Sequence, residues 1–63
     1  MTGFDVLVIE GKEIYKGMWR KGVFEGRGKY YSGNWIYDGD FKNGIIDGFG
    51  TINFQGYTFI GKF

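Results

Sequence analysis

The chain has 63 residues and a formal net charge of +1, with 13 glycines, 22% aromatic residues and no cysteine, histidine or proline. That length allows one domain, and one so small buries only about 60% of its unfolded surface, so a conventional two-layer core is marginal. Without cysteine or histidine, disulfides, thiolate and imidazole nucleophiles and the usual zinc or copper ligands are excluded, and near-neutral charge argues against a dedicated nucleic-acid binder.

Taken in chain order, Phe4, Val6 and Val8 alternate with Asp5, Leu7 and Ile9, the period of a strand with one fully apolar face. Gly11-Lys12 is expected to turn the chain. Residues 13–20 alternate again, with Tyr15, Gly17 and Trp19 on one face and Ile14, Lys16, Met18 and Arg20 on the other. A longer connection from Lys21 to Gly26 carries Val23 and Phe24, and residues 27–32 return. Ser32-Gly33-Asn34-Trp35 is a two-residue hairpin signal, because Gly and Asn tolerate positive φ. Residues 35–42 form the next strand, Asn43 to Gly48 a second long loop with Ile45 and Ile46, and residues 49–54 the return. Gln55-Gly56 then turns the chain into residues 57–63. Glycine costs about 1 kcal/mol per helical position, and the missing proline leaves every ladder bond available. The expected fold is all-β, a single elongated, curved antiparallel meander of about six strands.

Much of this is written twice. Tyr15, Gly17 and Trp19 recur 22 residues later as Tyr37, Gly39 and Phe41, and once more, cut short, as Phe59, Gly61 and Phe63; Gly22, Gly26 and Gly28 recur as Gly44, Gly48 and Gly50. A fixed period of this size marks a stack of small supersecondary units. The single domain divides into a half-repeat at 1–14, repeats at 15–36 and 37–58, and a truncated third at 59–63. By the same offset Phe4, Val6 and Val8 stand where Gly26, Gly28 and Tyr30 stand, which reads as an N-terminal cap.

If Ser32 pairs with Trp35, Tyr30 falls opposite Tyr37, Lys29 opposite Asp38 and Arg27 opposite Asp40, with two opposite-charge pairs on the outer face. The other face carries Trp19, Tyr30, Trp35, Tyr37, Phe41, Phe54, Tyr57, Phe59 and Phe63 among glycines. Rings there are expected to cover the glycine backbone of neighbouring strands, as in aromatic rescue.

Tyr37-Asp38-Gly39-Asp40-Phe41-Lys42-Asn43-Gly44, followed by Gly48-Phe49-Gly50, resembles the MORN repeat. Tyr15, Gly17, Trp19 and Gly22 with Gly26 and Gly28 form a second copy, and Phe59, Gly61 and Phe63 begin a third. The resemblance implies a row of β-hairpins in one curved sheet. It also implies a non-catalytic role in scaffolding, dimerising, binding partner proteins or touching membrane phospholipids. Val23-Phe24 and Ile45-Ile46 depart from the usual polar or basic loop, and Glu25 and Asp47 stand where histidine is frequent, which weakens phospholipid binding.

Little here carries catalytic chemistry. Asp38 and Asp40 share a strand face but are better accounted for by Lys29 and Arg27, and Lys42 repels a calcium ion. Gly26-Arg27-Gly28 and Gly48-Phe49-Gly50 lack the third glycine and the following helix of a dinucleotide fingerprint. No nucleophile stands beside a base, so no enzyme activity, metal or cofactor is expected. Lys12, Lys16, Arg20, Arg27 and Lys29, with Tyr31 and Met18, gather on the outer face of the first repeat, where an ordinary solvated surface accounts for them.

A single sheet has no second layer for its ring face, and its first and last strands have open edges, so a homodimer or a partner protein is expected. The leading expectation is a non-enzymatic protein–protein interaction module, a small cytoplasmic adaptor or inhibitor. Its contact residues would be the ring anchors Trp19, Trp35, Tyr37 and Phe41 and the apolar loop edge Val23, Phe24, Ile45 and Ile46, although one member of each loop pair could equally fold under the sheet. The alternative is a self-assembling structural repeat joined through Phe4 to Glu10 and Tyr57 to Phe63. A phospholipid or nucleic-acid surface is the third reading, and steep salt dependence would distinguish it.

Overall fold

A computed structural model describes residues 2–63. Six strands run β1 (Gly3–Ile9), β2 (Lys12–Arg20), β3 (Val23–Ser32), β4 (Trp35–Lys42), β5 (Ile45–Phe54) and β6 (Tyr57–Lys62). Each pairs antiparallel with the next, giving one open six-stranded meander in the order β1-β2-β3-β4-β5-β6. The molecule measures 33 × 27 × 13 Å. The short dimension is that of a single layer, so the rings must pack on one another and on their own sheet.

The predicted pairings of the first hairpin joining the two repeats are present. Ser32 faces Trp35, Tyr30 faces Tyr37, Lys29 faces Asp38 and Arg27 faces Asp40. Arg27 and Asp40 form an ion pair, Nε to Oδ1 at 3.8 Å. Lys29 does not reach Asp38; its Nζ lies 5.8 Å from the centre of the Tyr31 ring. The Gly33-Asn34 turn closes without placing either residue in the left-handed region.

The two long loops expected at Lys21 to Gly26 and Asn43 to Gly48 are instead two-residue turns followed by strand. Lys21 and Gly22 take φ of 50° and 81°, and Asn43 and Gly44 take 53° and 84°. Positive φ at both central residues is the requirement of a type I′ turn, which matches the twist of the flanking strands. The surplus residues are taken up by a bulge in each return strand. Glu25, Gly26 and Arg27 stand against Met18, and Asp47, Gly48 and Phe49 against Asp40. Gly26 at φ 89° and Gly48 at φ 116° make those bulges possible. Val23 and Phe24 therefore open β3, and Ile45 and Ile46 open β5.

The opening strand departs from the 22-residue offset. Its turn is Glu10-Gly11 rather than Gly11-Lys12, with φ of 52° and 76°, and a register shift follows between Leu7 and Val8. One residue of slip exchanges the two faces of a strand. Asp5 thus faces Gly17 and Leu7 faces Tyr15, while Phe4 and Val6 face Met18 and Lys16 on the outer side. Leu7 packs on the buried rings and Phe4 is exposed, so Phe4, Val6 and Val8 do not replace Gly26, Gly28 and Tyr30.

Candidate interaction face

The ring face is organised by two tyrosines in equivalent places. Tyr15 and Tyr37 are fully buried, and each folds back along its own strand so that its hydroxyl donates to a carbonyl three residues on, Met18 O at 2.8 Å and Asp40 O at 3.0 Å. Each ring covers a glycine of the next strand. A β-carbon at Gly28 would collide with the Tyr15 ring, and one at Gly50 would stand 2.6 Å from Tyr37 ring atoms. Burial pushes both phenols above the ordinary value.

Edge-to-face contacts join these units into one row. Trp19 meets Tyr15 at 5.3 Å, Tyr15 meets Phe41 at 5.1 Å, Phe41 meets Tyr37 at 5.2 Å and Tyr37 meets Phe63 at 5.7 Å. The quadrupoles of aromatic rings favour this arrangement. Phe24 stacks flat on Tyr15, 3.9 Å between centres and 9° between planes. The Trp19 indole N–H is satisfied by Asp5 O at 3.2 Å. The Phe24 carbonyl accepts from Gly44 N at 3.0 Å, tying the turn of the second repeat to the first.

Against this frame the eight sequence-derived contact residues separate. Trp19, Tyr37 and Phe41 are buried and form the frame itself. Phe24, Trp35 and Ile46 are half-buried and pack on it from the ring side. Val23 and Ile45 fall on the opposite alternation, facing Arg20 and Lys42 across their turns, and are 41% and 66% exposed. Strand alternation thus divides each apolar pair, one member inward and one outward.

Two apolar hollows remain on the face. Phe24, Tyr30, Phe41, Gly44, Ile45 and Ile46 line one of about 250 Å³. Trp35, Ile52, Phe54 and Phe59 line another of about 320 Å³. Ile52 was not singled out in the sequence, although it occupies the place of Tyr30 at the repeat offset and was legible there. The outer face is different in character. Lys16 stands directly opposite Lys29, and Phe4, Arg27, Tyr31 and Asp38 border the same hollow. Among the described residues no group of three acidic side chains converges as a metal site.

The family model of the MORN repeat matches residues 15–36 and 37–58. No curated protein and no solved structure matches the chain. Two matched repeats span most of the sequence, and the bounds are those of the tyrosine-centred units just described, each with its ring laid over a glycine of the following strand. The chain belongs to the MORN repeat family.

Proposed function

We propose that the protein is a non-enzymatic interaction module, a small adaptor or inhibitor that binds a segment of another protein against its ring face. The observation that carries this reading is the pair of adjoining apolar hollows, open to solvent beside a rigid row of buried rings. Large rings held in fixed positions give contact area at low entropic cost, which is how aromatic anchors come to dominate interfaces. Trp35, Phe54 and Phe59 at the second hollow are the accessible members, while Trp19, Tyr37 and Phe41 hold the shape. Glu25 and Asp47 near the bulges oppose an anionic lipid surface, and the same charges disfavour nucleic acid. Absence of cysteine is compatible with the reducing cytoplasm.

The test is affinity capture with the intact chain, followed by titration of the isolated partner against wild type, Phe54→Ser and Phe59→Ser. Both substituted side chains are exposed, so circular dichroism should be unchanged while affinity falls about tenfold or more. Affinity unchanged in both variants would remove the ring face from consideration. Binding that collapses between low and moderate salt would favour a charged surface instead.

A further inference from the structure

The outer face of the sheet breaks its own charge pairing at one place. Lys16 on β2 and Lys29 on β3 are direct cross-strand partners, and like charges so placed are destabilising. Neither is neutralised from its other side. Lys16 has Val6 opposite it on β1. Lys29 has Asp38 opposite it on β4, yet its ammonium lies over the Tyr31 ring instead. Among the described residues Arg27–Asp40 is the sole ion pair, so the pairing expected of the two aspartates holds for Arg27 and fails for Lys29. Lysine on an open edge strand guards against further pairing. That account does not apply here, since β2 and β3 each have a neighbour on both sides.

The two lysines stand at a hollow of about 390 Å³. Gly17 and Gly28, cross-strand partners without side chains, form its floor, and Lys16, Lys29, Arg27, Phe4 and Tyr31 form its walls. Asp38 is the one carboxylate in the lining. Phe4 faces Met18 across β1 and β2, and the two are 65% and 41% exposed. Unpaired cations and uncovered apolar groups thus share one concave patch. A sequence that keeps a destabilising pair in the middle of a sheet, with no compensation inside the chain, marks a place where function overrides local consistency.

We infer that this patch docks an extended acidic segment of another protein, with carboxylates on Lys16 and Lys29 and an apolar side chain against Phe4 and Met18. Acidic side chains at alternate positions of an extended segment point the same way, about 6.6 Å apart, within reach of the two flexible lysine stems. Their arrival removes the repulsion between the lysines, so the free chain is poised for an anion. A nucleic-acid backbone would meet Asp38 in the hollow and Asp40 beside it, and its dense phosphate charge needs a longer basic track. An anionic bilayer calls for a cluster of about four to eight basic residues, against two unpaired lysines in this hollow. The patch lies on the opposite side of the sheet from the ring face and does not depend on what binds there.

Fluorescence polarisation tests the inference with the intact chain and a labelled synthetic peptide holding glutamates at alternate positions beside a leucine. At low salt wild type should bind with a dissociation constant below about 1 mM, and affinity should fall as salt rises. Lys16→Glu should weaken binding about tenfold or more while raising the melting temperature, a split that damage to the fold cannot produce. Lys42→Glu changes the net charge equally but lies outside the hollow, and should bind nearly as wild type does. Phe54→Ser should also bind normally, so failure of this inference and failure of the ring-face reading give different results. Lys29→Gln should weaken binding as well, and it decides the matter if Lys16→Glu does not fold. No binding by wild type, unchanged binding by Lys16→Glu, or equal losses in Lys16→Glu and Lys42→Glu would each overturn the proposal. So would single-stranded DNA or phosphatidylserine vesicles that bind more tightly than the peptide and lose that binding in Lys16→Glu.

Discussion

The Tyr37 ring occupies the space that a side chain on Gly50 would need. A β-carbon there would meet three Tyr37 ring and hydroxyl atoms at 2.6 Å. Neither can yield, since Tyr37 is fully buried and hydrogen-bonded to Asp40 O. Gly50→Ala should therefore cost about 1–3 kcal/mol through overpacking, and Gly28→Ala under Tyr15 should behave alike. Gly61→Ala is the contrasting case, with open space above it and no positive φ. It should be neutral or stabilising by up to about 1 kcal/mol, because alanine lowers the entropy of the unfolded chain. Thermal melts of the three variants check the difference, at roughly 4–8 °C per kcal/mol for a domain of this size.

Adjacent residues in the apolar pairs should respond oppositely to the same substitution. Phe24 stacks on Tyr15 at 3.9 Å and Val23 faces solvent beside Arg20. Phe24→Asp should cost about 3 kcal/mol or more, enough to unfold a domain this small. Val23→Asp should stay within about 0.5 kcal/mol. Urea titrations would show it, and equal losses in both variants would contradict the alternation.

Stability should fall in alkali through the two buried tyrosines. Desolvation raises the phenols of Tyr15 and Tyr37 above the ordinary 10.0. The unfolded chain therefore releases those protons first as pH rises. The stabilisation is intact below pH 10, the unfolded value, and is lost as pH climbs through the higher folded values. Melting temperature followed across that range should decline, and a Tyr15→Phe, Tyr37→Phe double variant should decline less. Each lost hydroxyl should itself lower stability by about 1 kcal/mol at neutral pH.

On the outer face Lys16 stands directly across from Lys29. Like charges in that position repel, so Lys16→Glu should stabilise by about 0.2–1 kcal/mol, with the gain shrinking in high salt. Arg27→Ala should change stability by less than about 1 kcal/mol, because its pair with Asp40 is long and exposed. Melts at low and high salt separate the two effects.

Sequence reading reached the meander, the register across Ser32 and Trp35, and the covering of glycine by rings, because all three follow from a period of two nested in a period of 22. It misplaced Val23, Phe24, Ile45 and Ile46 in loops. An X-Gly pair in a type I′ turn and a glycine bulge have the same composition as a longer loop, and only the backbone angles distinguish them. It also faced the opening strand the wrong way, since the more apolar side of Phe4 to Ile9 is the outer one. A single irregularity beside Leu7 overrides the hydrophobic pattern.

Residue order alone determined which positions repeat, and so which rings and glycines share a face, because side chains in strands alternate without choice. How those rings meet was decided only in three dimensions. Trp19, Tyr37 and Phe41 are closed off by edge-to-face contacts within β2, within β4 and between the two, and Trp35, Phe54 and Phe59 are left open. The facing of β1 was decided there too, for a register break beside Leu7 is a property of folded backbone.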